Sequence, residues 1–238
     1  MTLKPTTFGV VAGLALLAAC TAPPADAVRE RATPVALKST ETDPLYGEVQ
    51  DAGRTILAVP EAALSERNRR QEVDYWTDEP PGTIIVDPHA RFLYLVLEGD
   101  RALRYGVAVG DQGRGFSGEG VIPFKREWPR WTPTQNMLRR DPELYGPVRN
   151  GLEGGLDNPL GARALYLFKG GRDTLYRIHG TNNPFSIGKA VSSGCIRLFN
   201  QDILDLHERV NDGARVVVLS ESDSGKGTTP PGRTTTSN

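Results

Sequence analysis

The chain has 238 residues, of which 38% are hydrophobic and 24% are charged, and its formal net charge is −1. This length fits one domain with appendages, and the composition is ordinary for a globular protein. A net charge so close to zero excludes a bulk basic field that would hold nucleic acid or an anionic membrane surface. With only three histidines and two cysteines, few side chains are available for imidazole or thiol chemistry.

Residues 1–19 predict an export signal. Lys4 is followed by an apolar run from Phe8 to Leu17 and by two alanines before Cys20. A positive start, a short apolar run and small residues are typical of a secretory signal. The run is shorter than the ~20 apolar residues that span a bilayer, so it does not predict a transmembrane helix.

The end of this segment, Leu17-Ala18-Ala19-Cys20, resembles a bacterial lipobox. The resemblance implies a lipoprotein signal peptide, cleavage before Cys20, and a periplasmic protein held at a membrane by acyl chains on that cysteine. Thr21, and not an aspartate, follows the cysteine, which favours the outer membrane. The alternative is a plain signal peptide in which Cys20 stands by chance.

Three regions follow the signal. Residues 20–80 are rich in Pro, Ala, Thr and charge, which predicts a flexible tether with one possible short helix. Residues 221–238 are polar and of low complexity, which predicts a disordered tail. Residues 81–220, between them, are numerous enough to fold as an independent domain.

Within this domain, short β-branched and aromatic runs predict strands, and they fall at residues 83–87, 91–100, 101–110, 162–168, 174–180 and 214–220. A hairpin turn is expected at Glu98-Gly99-Asp100. Prolines confine residues 121–133 to an edge strand or a loop, and residues 137–161 predict a long loop. The pattern is that of a mostly β fold.

One helix is predicted, at residues 200–210. Its apolar residues fall on one face, Asn200 is a good N-cap, and Gly213 is expected to stop it. The domain therefore combines many strands with one main helix and long loops.

Cys195 allows three interpretations. It stands in the polar, tight stretch Val191-Ser-Ser-Gly-Cys195, whereas a cysteine that only fills a core stands among apolar residues. A disulfide with Cys20 is possible in an oxidising compartment, but it is incompatible with a lipidated Cys20. As a nucleophile, Cys195 needs a base, because the thiolate is the reactive form.

Of the three histidines, His179 is the best candidate for that base. His207 falls in the predicted helix and His89 in a turn between strands. His179 ends a predicted strand sixteen positions before Cys195, and the end of a strand is where catalytic groups are well placed. Backbone N–H groups at Gly194 and Cys195 would then face a developing oxyanion.

The stretch from Ile178 to Asp202 resembles the signature of the L,D-transpeptidase catalytic domain, also called the YkuD domain. The matching positions are His179, Gly180, Thr181, Gly188, Ser192, Gly194, Cys195, Ile196 and Arg197. The resemblance implies a YkuD-type β-sandwich or barrel-like fold over most of residues 80–220. The family's Trp-x-Thr-Pro-x-Gly stretch is absent in that form, and Ser193 stands where some members have histidine.

The resemblance also implies an activity on peptidoglycan stem peptides. Cys195 would attack a stem tetrapeptide, expel the terminal D-alanine and pass the acyl group to a diaminopimelate amine, which gives a 3–3 crosslink. His179 would take the thiol proton and give one to the leaving amine, and the carbonyl of Gly180 would orient the imidazole ring of His179.

The remaining motif positions would form the surroundings of this pair and bind the substrate. Ser193 and Gly194 would shape the nucleophile loop and its oxyanion site, whereas Arg197, Thr181 and Ser192 would contact substrate. Arg197 could instead form a structural ion pair, and Trp128 and Trp131 could line a groove or pack in the core.

No cofactor or metal is implied, and the scattered histidines do not have the spacing of zinc ligands. Several alternatives share all these residues. Water as acceptor would make the protein an L,D-carboxypeptidase, and a protein lysine would make it an enzyme that attaches an outer-membrane protein to peptidoglycan or detaches it. A non-enzymatic alternative is a catalytically dead lipoprotein that binds peptidoglycan. The sequence leaves the oligomeric state open.

Overall fold

One mixed sheet organises the computed structural model, which describes residues 43–110, 117–190 and 194–231. Eleven strands belong to it, and a separate hairpin is formed by β1 (Val49–Asp51) and β2 (Arg54–Ile56). The sheet strands are β3 (Gln71–Asp74), β4 (Ile84–Asp87), β5 (Phe92–Val96), β6 (Arg101–Gly106), β7 (Ala108–Val109), β8 (Gly118–Ile122), β9 (Lys125–Glu127), β10 (Arg163–Lys169), β11 (Arg172–His179), β12 (Ile196–Arg197) and β13 (Ala214–Val218).

The strands follow the order β3-β6-β5-β4-β13-β8-β10-β11-β12-β7, and β9 pairs with β10 beside this path. Three helices accompany them: α1 (Gln135–Arg140), α2 (Pro142–Tyr145) and α3 (Asn200–Arg209). The mostly β fold with one main helix is therefore confirmed. None of the helices in the described ranges is long and apolar enough to cross a membrane.

The main core lies between α3 and one face of the sheet. Its buried residues include Leu165 and Leu167 of β10, Ile178 of β11 and Ile203 of α3, all fully buried. Alternate residues of a strand point to opposite faces, so Arg177 and His179, which flank Ile178 in β11, lie on the outer face of the sheet.

The predicted hairpin is confirmed between β5 and β6. Gly99 and Asp100 both have positive φ angles, 70° and 56°, and the Leu97 N–H donates to the Arg101 carbonyl at 2.9 Å. Two positive φ angles are typical of the tight turn that matches the twist of the flanking strands.

Two predictions for the middle of the chain are wrong. The prediction of an edge strand or a loop for residues 121–133 fails at its start, because Val121 and Ile122 belong to β8, which pairs with both β13 and β10; β9, farther along, does pair with one strand only among the described residues. β8 ends immediately before Pro123, so the proline removes no ladder hydrogen bond. Residues 137–161 are not one irregular loop, because they contain most of α1 and all of α2.

The predicted cap of α3 is also wrong. Phe199 occupies the N-cap position and Asn200 is the first helical residue. The amide of Asn200 instead contacts the neighbouring chain: its Oδ1 accepts from the N–H of Ala162 at 3.0 Å, and its Nδ2 donates to the carbonyl of Thr181 at 3.0 Å. The helix ends at Arg209, and Gly213 lies beyond it with a φ of 89°.

The prediction of a flexible tether is wrong for residues 43–80. β3 pairs with β6 in the main sheet, and Tyr46 is fully buried against Phe199 at a ring-centroid distance of 5.6 Å. Asp51 accepts two hydrogen bonds from Arg163, both at 2.8 Å. The buried apolar residues of this segment are spaced irregularly, so they produce no periodic pattern from which a folded element could be predicted.

The prediction of a disordered tail is likewise wrong for residues 221–231. The Gly225 N–H donates to Asp87 at 2.7 Å, and the Ser224 hydroxyl donates to the same carboxylate at 2.9 Å. The Trp76 N–H donates to the Gly227 carbonyl at 2.8 Å. These contacts hold the segment on the outer face of the sheet.

Candidate active site

The strands β11 and β12 bring the predicted base and nucleophile to one face of the sheet. They pair in parallel, with Ile178 opposite Ile196 and His179 opposite Arg197. Both isoleucines point into the main core. Because side chains alternate along a strand, His179 and Arg197 point to the outer face, and Cys195, immediately before β12, lies beside Arg177 on that face.

His179 is held at the end of β11 by its neighbour. Its Nδ1 lies 2.6 Å from the carbonyl oxygen of Gly180, and the side chain is only 3% exposed. This contact favours the neutral tautomer that carries its proton on Nδ1 and leaves Nε2 unprotonated.

Gly180 is required here for steric reasons. A Cβ at Gly180 would lie 2.2 Å from Oδ1 of Asn200, the atom that also accepts from Thr181 N–H at 3.3 Å. The start of α3 therefore packs directly on the backbone that follows His179, and it fixes the direction in which the chain leaves β11.

The environment keeps His179 neutral. Burial lowers the pKa of its imidazole to about 3, and the positive charge of Arg197 acts in the same direction. Hydrogen bonding to the carbonyls of Gly180 and Leu160 opposes this lowering. At neutral pH the imidazole is therefore unprotonated, which is the form that a general base requires.

Cys195 is a free, half-buried thiol. Burial raises its pKa, whereas a hydrogen bond with the Arg177 backbone and the positive charges of Arg177 and Arg197 favour the thiolate. These directions indicate a resting state with a protonated thiol on Cys195 and a neutral imidazole on His179. Attack by the sulfur then requires proton transfer as the bond forms.

Of the other predicted site residues, the structure describes some and not others. Gly194 has a φ of 104°, a conformation that favours glycine and lets the chain turn into β12. Thr181 is buried, and its Oγ1 accepts from the Asn183 N–H at 3.1 Å, so the hydroxyl is used within its own turn. Ser192, Ser193 and Cys20 lie outside the described residues.

The sequence left alternative roles for Arg197, Trp128 and Trp131, and the structure places these three residues in different surroundings. Arg197 shares the outer face with Cys195 and lies near Tyr145 of α2. Trp128 is only 9% exposed, and its Nε1 donates to Asp51 at 2.7 Å, which assigns it to packing. Trp131 contacts the Tyr145 ring at a centroid distance of 6.2 Å.

Sequence reasoning missed Arg177, whose backbone hydrogen-bonds the Cys195 thiol. Its guanidinium is fixed by two hydrogen bonds to Asp173, at 2.7 and 2.8 Å, and stacks 4.2 Å from the Tyr166 ring centroid. The period-two alternation of β11 could have identified it, because residues 177 and 179 of one strand must share a face.

Fold and site together define a sheet protein that presents a free thiol and an oriented, neutral imidazole on one face. The family described as the L,D-transpeptidase catalytic domain, YkuD, matches residues 81–218. The chain belongs to this family.

Among curated proteins, the chain is similar to the probable L,D-transpeptidase YbiS of Escherichia coli, with 36% identity over 80% of this chain and 58% of that protein. It is also 36% identical to the probable L,D-transpeptidase ErfK/SrfK of Escherichia coli, over 59% of this chain and 44% of that protein. The chain thus spans about half the length of these relatives.

A solved structure from Brucella melitensis, described as a probable carnitine operon oxidoreductase, is 51% identical over 68% of this chain and 99% of that chain. Its TM-score is 0.46, a superposition too loose to carry an argument about function.

Proposed function

We propose that this chain is an L,D-transpeptidase that acts on peptidoglycan stem tetrapeptides through a thioester on Cys195. One observation supports the proposal most directly: in the β11–β12 ladder, His179 lies opposite Arg197, two residues after Cys195, and the Nδ1 of His179 is held by the Gly180 carbonyl. Family membership supports the same chemistry.

In the first half-reaction, the sulfur of Cys195 attacks the carbonyl carbon that precedes the terminal D-alanine. Its proton passes to Nε2 of His179, and that proton then protonates the amine of the departing D-alanine. The C–N bond breaks, a C–S bond forms, and the enzyme holds the tripeptide as a thioester. Gly194, with its positive φ, turns the chain so that backbone N–H groups can face the oxyanion.

In the second half-reaction, the side-chain amine of a diaminopimelate on another stem attacks the thioester. His179 accepts the proton of that amine and returns one to the sulfur, which leaves a 3–3 crosslink and the free thiol. Arg197 lies on the face of the nucleophile, and its permanently charged, planar guanidinium suits a substrate carboxylate.

The proposal is tested by incubating the purified chain with disaccharide-tetrapeptides and analysing the muropeptides by mass spectrometry. A dimer with the mass of two stems less one D-alanine supports transpeptidation. Tripeptide monomers without dimers would show that the chain is a carboxypeptidase and not a transpeptidase. Unchanged tetrapeptide would contradict both activities. Cys195→Ala is the matched control, because it removes only the sulfur.

We further propose that Cys20 carries the lipid anchor, on the strength of the Leu17-Ala18-Ala19-Cys20 motif. Palmitate labelling of cells that express the chain tests this. Label that disappears with Cys20→Ser supports lipidation, whereas an unlabelled chain that fractionates with the soluble periplasm contradicts it.

A further inference from the structure

Two arginines lie over one aromatic ring on the outer face of the sheet, and a third is its neighbour in the chain. The guanidinium carbons of Arg67 and Arg104 lie 4.3 and 4.4 Å from the centroid of Phe92. Arg91 is the neighbour of Phe92 in the chain and has a positive φ of 58°. We call Arg67, Arg91, Arg104 and Phe92 the arginine cluster.

The local packing explains why Arg67 is present. Phe92 lies opposite Gly106 in the β5–β6 ladder, and a Cβ at Gly106 would lie 2.7 Å from the Cα of Asn68. The absent side chain therefore lets the backbone of residues 67–68 lie on β6, which delivers Arg67 to Phe92. Its Nη2 donates to the Ala90 carbonyl at 2.5 Å.

Among the described residues, no acidic side chain forms an ion pair with the cluster. The ion pairs within 4.0 Å in the described ranges include none of these three arginines. Asp87 lies opposite Phe92 in the β4–β5 ladder, but its oxygens accept from Ser224 and from the N–H groups of Ala90 and Gly225.

Two nitrogen atoms of the cluster also lack hydrogen-bond partners. The Nε–H groups of Arg91 and Arg104 are buried and donate to no acceptor within the described residues. An unpartnered donor on a buried charged group costs more free energy than one on a neutral group. The mutual repulsion is visible at Arg67, whose pKa is lowered by burial and by the charges of Arg91 and Arg104.

We propose that the arginine cluster is a binding site for a phosphoryl group. Guanidinium groups are planar donors suited to oxyanions. Those of Arg67 and Arg104 meet over Phe92, and the charge of Arg91 acts on Arg67. A tetrahedral phosphoryl group offers oxygens in several directions, whereas a carboxylate offers two in one plane. The ligand would supply the missing negative charge and accept from the unpartnered donors.

The test uses the full chain carrying Cys20→Ser, so that no lipid anchor contributes. Binding of inorganic phosphate is measured by calorimetry and by the melting temperature, at an ionic strength kept constant with sodium chloride. We expect saturable binding with a stoichiometry of one and a rise in melting temperature. Arg104→Gln and Arg67→Gln should each weaken the affinity by about tenfold or more.

Arg101→Gln is the matched control, because Arg101 lies on the same strand as Arg104 but is paired with Glu72 and Asp74. Arg91 is not substituted in this test, because its Nη1 donates to the Gly188 carbonyl at 2.9 Å. Removing that hydrogen bond would disturb the loop before Cys195. Should Arg104→Gln fail to fold, the exposed Arg67 carries the test.

Phosphate that binds no better than chloride or acetate would overturn the proposal, as would equal losses in Arg101→Gln and Arg104→Gln. Vesicles distinguish two sources of the phosphoryl group. Co-sedimentation with phosphatidylglycerol vesicles, but not with phosphatidylcholine alone, that is lost in Arg104→Gln assigns the site to a lipid headgroup. Phosphate binding without vesicle binding assigns it to a soluble ligand.

Discussion

The imidazole Nδ1 of His179 lies 2.6 Å from the carbonyl oxygen of Gly180, the next residue in the chain. The backbone therefore provides the orienting acceptor that a third side chain supplies in a Ser-His-Asp triad. A neutral carbonyl stabilises an imidazolium less than a carboxylate does. This is consistent with the burial and the lowered pKa of His179, since the ring is required to hold a proton only transiently.

Cys195→Ala should abolish turnover and leave the fold intact. The side chain is half-buried and belongs to none of the four buried hydrophobic clusters. We expect a change in the free energy of unfolding within about 1 kcal/mol, measured by urea denaturation beside the muropeptide assay. A loss of several kcal/mol would instead assign the cysteine to the core.

His179→Gln should slow the alkylation of Cys195 by iodoacetamide at pH 7, by about a hundredfold, because glutamine cannot accept the thiol proton. His207→Gln is the matched control, since His207 is half-buried on α3. Equal alkylation rates in His179→Gln and the wild type would show that the imidazole does not activate the thiol.

The low pKa of His179 predicts a dependence of stability on pH. The unfolded chain takes up a proton at this residue below about pH 6.5, whereas the folded chain does not until about pH 3. Stability is therefore lost as the pH falls from 6.5 toward 3, by up to about 1.4 kcal/mol per pH unit. Urea midpoints at pH 7 and 4.5 should differ less in His179→Gln, and an unchanged difference would contradict the lowered pKa.

The raised pKa of Asp202 predicts the opposite dependence of stability on pH. Burial raises the pKa of its carboxyl to about 7, against the opposing charge of Arg70. Between pH 3.8 and 7 the folded chain holds a proton that the unfolded chain releases, so this contribution to stability is lost as the pH rises. Asp202→Asn should remove that loss, as followed by urea denaturation at pH 5 and 8. A variant that loses as much stability as the wild type over this interval would refute the assignment.

Asp51→Ala should destabilise the domain by about 2–3 kcal/mol, because it leaves Arg163 without its main partner in a site that is only 8% exposed. Asp74→Ala is the matched control, since the pair of Asp74 and Arg101 is exposed and should contribute less than about 1 kcal/mol. Thermal unfolding measures both variants. Equal effects would show that the buried pair of Asp51 and Arg163 contributes no more stability than the exposed pair.

The strands and the nucleophile were predictable because their signals are local. Ile178 and Ile196 alternate with His179 and Cys195, and a motif of fixed spacing marks the latter pair. The role of Asn200 was not predictable, because its side chain bonds across the fold to Ala162 and Thr181, and such contacts leave no local pattern.

The packing of residues 43–80 escaped prediction for a similar reason. Tyr46 and Val59 are buried against α3 and the loop before Cys195, in a cluster with Ile187 and Phe199. Isolated apolar residues in a stretch rich in proline and charge produce no periodicity, so only the three-dimensional contacts identify them.

The account is tested most directly by intact-protein mass spectrometry after brief incubation with a disaccharide-tetrapeptide. We expect an adduct with the mass of the substrate less one D-alanine, localised to Cys195 by peptide mapping and strongly reduced in His179→Gln. An adduct on another residue, or equal adduct formation in His179→Gln and the wild type, would contradict acyl transfer by this cysteine and histidine.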